Sequence, residues 1–371
     1  MSQPSPQDAV PDRARRRFPE ISSRAYEHPS DRAALTALRK MSGFASLLKQ
    51  LNGLIGEHNV RLMLLANAVQ VSEQQFPRLN AMLDDACQTL DLPTRPELFV
   101  QQTPEVNGMT IGLNNPVIVL TTGLVELLDE EELRFVIGHE AGHAFSGHAV
   151  YRTMLLWLMG LGSVFSWVPG GQIGIQALIT ALMEWFRKAE ISCDRAGLLV
   201  VQDMEAAVRT QMKLAGGAHL YEMSPIAFID QARQYESGGD IRDSILKLML
   251  THDKTHPFPS VRALDLTRWV ESGAYQRIMN GEYPRRGDDD SASARADAKA
   301  AAEAYADSVK TSTDPLMGKI REFAGDAAGF GDRLAGAMYR RWAPRANGDT
   351  PDDAPDDAPH DEDGGSDGSE N

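Results

Sequence analysis

The amino-acid sequence predicts a mostly helical α+β domain with a small antiparallel sheet. Three observations predict it. From "DRAALTALRKMSGFASLLKQL" to "FPRLNAMLDDACQTL" the apolar residues recur at three and four, the period of a helix with one buried face. Short runs follow, "ELFVQQ", "NGMTIG" and "PVIVLTT", parted by Pro, Asn and Gly, and read as strands with Asn114–Asn115 turning the last hairpin. From Asp129 to about Val150 the helical period returns, and Asp129 with Glu132 three residues on forms a capping-box start.

The flanks read differently from this body. Residues 1–27 are rich in Pro, Ser and Arg and are expected to form a disordered arm. The folded domain is expected over 28–285. Beyond it the composition shifts to Ala, Asp and Ser, an acidic tail over 286–371 that cannot bury enough apolar surface to fold. One amphipathic helix is expected within it near 318–342, where Ile320, Phe323, Ala327, Phe330, Leu334 and Met338 fall about one turn apart.

Charge and cysteine content narrow the function. The net charge is −15, and the ten acidic residues from Asp349 onward supply most of it. No clustered Lys/Arg face suggests a nucleic-acid partner. The one basic run, Arg13 to Arg17, precedes "FPEISS" and no apolar stretch, which argues against a secretory signal and for a solvated arm. Two cysteines, Cys87 and Cys193, give no disulfide framework and no CxxC metal spacing, so a reducing, cytoplasmic setting is expected.

The chemistry concentrates in "VIGHEAGHAFSGHAV". His139 and His143 are four apart, so on a helix they share one face a single turn apart, with Glu140 at its edge. This is H-E-x-x-H, in which two imidazoles hold zinc and the glutamate acts as base. The flanks Phe135, Val136, Ile137, Gly138, Ala141, Gly142 and Ala144 are apolar or small, so the helix is built for burial and its polar groups need partners. A catalytic zinc takes three protein ligands and leaves a fourth position open. A third histidine six residues after His143 fails, because Ala149 stands there and Ser146 replaces the expected glycine. His148 lies about half a helical circuit from His139 and is expected to cap or pack, unless the helix ends early. "RKAEISCDRAG" offers a carboxylate instead. Glu190 and Asp194 share a helix face amid Ala189, Ile191, Ala196, Leu198 and Leu199. Glu190 is expected as third ligand and Asp194 as acceptor for a ligand imidazole N–H. Cys193 is expected to be a packing residue.

H-E-x-x-H followed by E-x-x-x-D on a later helix resembles the gluzincin metallopeptidases typified by the HtpX heat-shock protease and the CAAX prenyl protease. "NGMTIG" before "PVIVLTTGLVELLDEEELRFVIGHE", and "THPFPSVRALDL" downstream, are further matches, so the resemblance covers roughly residues 70–275. It implies a zincin-like fold, one zinc ion per chain held by His139, His143 and Glu190, Glu140 as catalytic base, and Asp194 in support. It also implies that Asn107, Gly108, Met109, Thr110 and Ile111 form an edge strand that pairs with an extended substrate. Gly108 stands where the family often has alanine. The activity implied is hydrolysis of unfolded or extended protein, as in protein quality control. His256, with His219 and Tyr221 behind it, is the candidate donor to the oxyanion. A zinc-stabilised, chaperone-like binding protein that cuts nothing is the alternative.

Residues 153–183, 31 in all, carry no charge. Two membrane crossings need about 40 apolar residues, and a single crossing would part His143 from Glu190. A helical hairpin packed within the protein, in an oligomer, or against the inner face of a membrane is expected.

Overall fold

The computed structural model describes residues 14–32, 35, 57–161, 171–237 and 258–289. Among these the helices are α1 (Glu57–Asn67), α2 (Pro77–Thr89), α3 (Thr122–Leu127), α4 (Glu130–Phe145), α5 (His148–Leu161), α6 (Gly171–Val201), α7 (Met204–Gly216), α8 (Pro225–Ser237), α9 (Pro259–Glu271) and α10 (Ala274–Met279). The strands are β1 (Val69–Gln70), β2 (Glu97–Gln101), β3 (Gly108–Ile111) and β4 (Val117–Thr121). His256, the amphipathic segment near 318–342 and the acidic tail from residue 290 onward lie outside the described residues.

The sheet runs in the order β1-β2-β4-β3. It is mixed, where an antiparallel one was expected: β3 and β4 form the hairpin, β1 pairs antiparallel with β2, and β2 runs parallel to β4. The reason lies in β4, whose five residues are all buried, the pattern of a strand covered on both faces. Of β3 only Thr110 is buried, so β3 takes the edge and β4 returns between it and β2.

Helix α4 starts where the capping box placed it. The Asp129 carboxylate accepts from the Glu132 backbone N–H at 3.0 Å, and the Glu132 carboxylate accepts from that of Asp129 at 2.9 Å. Glu132 is buried and also meets Lys213 of α7 at 2.6 Å, so the start of α4 is pinned to the helix beside it. Small residues then let α4 lie hard against α6. A Cβ on Gly138 would come within 2.6 Å of Val200, one on Gly142 within 2.7 Å of Ala196, and one on Gly197 within 2.7 Å of the Phe135 carbonyl oxygen.

The uncharged stretch reads differently in three dimensions. Its second arm and the helix bearing Glu190 are one continuous 31-residue helix, α6, not two. Met154, Leu155 and Leu158 of α5 cluster with Leu178, Leu182, Met183, Trp185 and Phe186 of α6 in a core of their own. Among the described residues no helix is long and apolar enough to cross a membrane.

The N-terminal segment departs most from expectation. Composition predicts a disordered arm through residue 27, yet Phe18, Ile21 and Tyr26 are fully buried in the main core. Phe18 donates its N–H to Thr89 at the end of α2, Ile21 bridges to Arg285, and Arg15 meets Glu131 of α4 at 2.6 Å. Composition counts residues, whereas burial needs only a few apolar anchors with a slot to enter. Phe18→Ala is therefore expected to lower the unfolding free energy by about 3–5 kcal/mol, the range for deleting a buried ring. Urea denaturation measures it, and a variant within 0.5 kcal/mol of wild type, roughly the scale of a neutral surface change, would contradict the packed arm.

Candidate metal centre

Helix α4 presents His139, Glu140 and His143 to its neighbours, and α6 presents Glu190 and Asp194; all five are at most 4% exposed. Nε2 of His139 and Nε2 of His143 are 3.2 Å apart. The Glu190 carboxylate closes the triangle of side chains, its Oε2 3.5 Å from the first and its Oε1 3.2 Å from the second. A tetrahedral ion with bonds of about 2.05 Å holds its ligand atoms about 3.35 Å apart, and the contacts among the three side chains fall near that spacing. The edge lengths alone do not require an ion, and the chemistry of the donors supplies the rest. Nδ1 of His139 lies 3.0 Å from Asp194, an acceptor, so the ring proton sits there and the Nε2 lone pair points into the triangle.

Charge makes the same demand. Glu140, Glu190 and Asp194 are three buried carboxylates facing one buried guanidinium, Arg262, which leaves a formal excess of two negative charges. A divalent cation cancels it, and buried charge without such compensation is costly. Burial alone would pull the His139 imidazole down, but Glu190 and Asp194 outweigh it and hold it at about 9. Burial wins at His143, lowered to about 4.

The surroundings hold these groups in place. Arg262 of α9 donates to both oxygens of Asp194, at 2.7 and 2.5 Å, and lies 3.3 Å from Glu190. Gln211 of α7 donates to Asp194 at 3.3 Å. Asp194 is held below the usual carboxylate range although burial opposes it, chiefly by Arg262 and then by His139. Phe186 stacks on the His143 ring at 5.5 Å. On the sheet side, the Thr110 hydroxyl lies 2.7 Å from the Glu140 carboxylate and 3.0 Å from the Glu140 carbonyl oxygen.

Each residue singled out from the sequence can now be placed. His139, His143 and Glu190 converge, with Asp194 behind His139 and Glu140 facing β3. Gly108, Met109, Thr110 and Ile111 form the edge strand, and Asn107 precedes it, its carbonyl oxygen accepting from Thr121 at 3.0 Å. Gly108 has a reason to lack a side chain: a Cβ there would meet the Glu140 carboxylate at 3.1 Å. His219 and Tyr221 pair with each other at 3.1 Å on an exposed turn. His148 is closer to the site than helical spacing allowed, because α4 ends at Phe145 and Gly147, at φ +70°, turns the chain. His148, His143 and Cys193 make a second grouping of metal-ligating types. Burial, then Glu190, pushes the Cys193 thiol well up, which opposes the thiolate a metal needs.

Sequence reasoning missed Arg262, Gln211 and the contact of Thr110 with Glu140. A signal for Arg262 existed: it shares the inner face of α9 with Leu266 and Trp269, and an arginine on an apolar face implies a buried carboxylate.

Two imidazoles from one helix and a carboxylate from another are the donor set of zinc peptidases. Comparison with known proteins agrees. The sequence profile of peptidase family M48 matches residues 73–270, which include all of the residues just described around the triangle. Among similar proteins is a plastoglobule-localized metallopeptidase 48, chloroplastic, of Arabidopsis thaliana, 33% identical over 273 residues, 71% of this chain and 77% of that one. HtpX protease homologues of Streptococcus pyogenes, serotypes M5 and M49, are 30% identical over 111 residues, 29% of this chain and 37% of theirs. No solved structure matches. The chain belongs to peptidase family M48 and is a zinc-dependent metalloprotease.

Stripping the metal is expected to expose the His139 linkage. Its pKa of about 9 in the folded chain exceeds the unfolded value of about 6.5, so its stabilisation is full below 6.5 and is lost as pH rises through 9. The chelator-treated chain should unfold at lower urea at pH 9 than at pH 7, and added zinc should flatten that difference. Equal midpoints without zinc would refute the paired-carboxylate environment.

Proposed function

We propose that this metalloprotease is an endopeptidase that takes an extended stretch of unfolded protein along β3 and cuts it beside Glu140. The observation that carries the reading is the convergence of three buried side chains, their nitrogen and oxygen atoms 3.2–3.5 Å from one another, next to a carboxylate tied to the edge strand. His139, His143 and Glu190 would hold the zinc, and Asp194 would orient His139.

The strand supplies the substrate register. Asn107 is hydrogen-bonded to Thr121 of β4, so by the alternation of an antiparallel ladder Met109 and Ile111 also bond inward. The backbone N–H and C=O groups of Gly108 and Thr110 then face away from β4, where an extended peptide can pair with them regardless of its side chains. Thr110 thus has two duties, its backbone toward substrate and its side chain on Glu140.

A zinc ion held by His139, His143 and Glu190 would supply Lewis acidity there, making water a better nucleophile at neutral pH and polarising a carbonyl. Glu140 takes the proton of the attacking water and passes it to the leaving amine. The Thr110 hydroxyl keeps the carboxylate aimed between water and amine, and the bare Gly108 leaves room for it.

The setting of this activity is the reducing interior of the cell, which the free thiols of Cys87 and Cys193 suit. The outer side of α5 exposes Leu156, Trp157 and Met159, an apolar strip suited to a membrane surface.

Digestion of casein tests the reading. Glu140→Gln should retain zinc by metal analysis and lose cleavage, and persistent cleavage would remove Glu140 from the reaction. Thr110→Val should lower kcat about tenfold or more, the scale for losing a hydrogen bond to a charged group, with KM little changed.

A further inference from the structure

Behind the zinc ligands, a line of buried groups leads from His143 to the N-terminal segment. His143 turns Nε2 toward His139 and Glu190. Its other ring nitrogen, Nδ1, lies 3.3 Å from Nδ1 of His148, which the Cys193 sulfur also approaches, at 3.5 Å. Nε2 of His148 lies 3.3 Å from Oδ2 of Asp31. The Asp31 carboxylate also accepts from Trp185 Nε1 at 2.9 Å and Ser192 Oγ at 2.6 Å, both on α6. His143, His148 and Asp31 are each at most 1% exposed, so water does not compete for these bonds. Further along the same segment, the Tyr26 hydroxyl meets Ser146 at 3.0 Å and the His28 N–H donates to Ser192 at 2.9 Å.

The proton positions follow from the geometry. A His143 whose Nε2 lone pair serves a cation carries its proton on Nδ1. Two facing Nδ1 atoms cannot both carry one, so His143 donates and His148 accepts. A neutral His148 that accepts at Nδ1 bears its proton on Nε2, which faces Asp31, an acceptor-only group when ionised. Were His148 turned over or doubly protonated, it would donate to His143, drive that ring's proton onto Nε2 and compete with the metal.

We propose that Asp31 and His148 are positioning residues of the zinc site: Asp31 selects the His148 tautomer, and His148 selects the His143 tautomer that can bind zinc. The proposal rests on His139, His143 and Glu190 being the ligands. It gives the segment before residue 73, outside the stretch matched by the M48 profile, a part in building the metal centre.

The test uses the full chain, with zinc affinity read by competition with a chromophoric chelator. Asp31→Asn places an amide N–H toward His148 Nε2 and inverts the relay, so affinity should fall about 10- to 100-fold, the range for losing an outer partner of a metal-bound histidine. His148→Gln, whose carbonyl can still accept from His143, should retain more affinity than His148→Leu. Cys193→Ala, which removes the sulfur without placing a hydroxyl on His148, should bind zinc as wild type does. A long-range proton–nitrogen correlation spectrum of the zinc-loaded wild-type chain should show His148 protonated at Nε2 alone, and it decides the matter even where a variant misfolds. Wild-type affinity in Asp31→Asn or His148→Leu, or a proton on Nδ1 of His148, overturns the relay. A loss in Cys193→Ala equal to that in His148→Leu also overturns it, by placing zinc in the His143, His148 and Cys193 grouping. A wild-type chain that binds no zinc, or His139→Ala and Glu190→Gln variants that bind it undiminished, defeats the ligand assignment itself and the relay with it.

Discussion

The close approach of α4 and α6 is the constraint on which the metal centre rests. Imidazole and carboxylate side chains are short, and a shared ion must lie about 2 Å from each ligand atom. Helices held apart by leucines would leave Glu190 out of reach of His139 and His143. Gly138 and Gly142 on α4, with Ala196 and Gly197 on α6, remove that spacing. The small residues stand one position ahead of the histidines, so the row that allows contact and the row that binds metal run side by side up one helix.

Such closeness gathers charge. Three carboxylates are buried around the triangle, and Arg262, which meets both Asp194 and Glu190, brings a single positive charge to them. A site of this kind carries a standing demand for positive charge, which a divalent cation would meet. Arg262 bonds both oxygens of Asp194 and so keeps that carboxylate aimed at His139. The arginine thus sharpens the site while leaving room for the ion.

The sheet brings the other half of a peptidase. Because β4 is buried on both faces, β3 is pushed to the edge with outward backbone groups. Because Thr110 points inward from that edge to Glu140, the edge strand and the carboxylate of the H-E-x-x-H helix are one mechanical unit. Binding and chemistry meet over a single hydrogen bond.

Much of this was legible in the residues. The i, i+4 histidines, the Asp129 capping box and the apolar flanks define α4 and its buried polar face, since local spacing and burial need no knowledge of the rest of the chain. The Glu190 and Asp194 pair was legible for the same reason. What local pattern does not carry is contact between distant segments. The N-terminal arm reads as disordered by composition, yet three apolar side chains anchor it in the core and bring Asp31 to His148. Helical spacing placed His148 on the wrong side because a left-handed glycine ended the helix first. The parallel pairing of β2 with β4 and the insertion of Arg262 were likewise decided by which surfaces remained to be covered once the helices had packed. Sequence determined which imidazoles and carboxylates share a helix face, through periodicity and residue type; only the tertiary structure determined what stands behind them, because burial and hydrogen bonding across the fold depend on every segment at once.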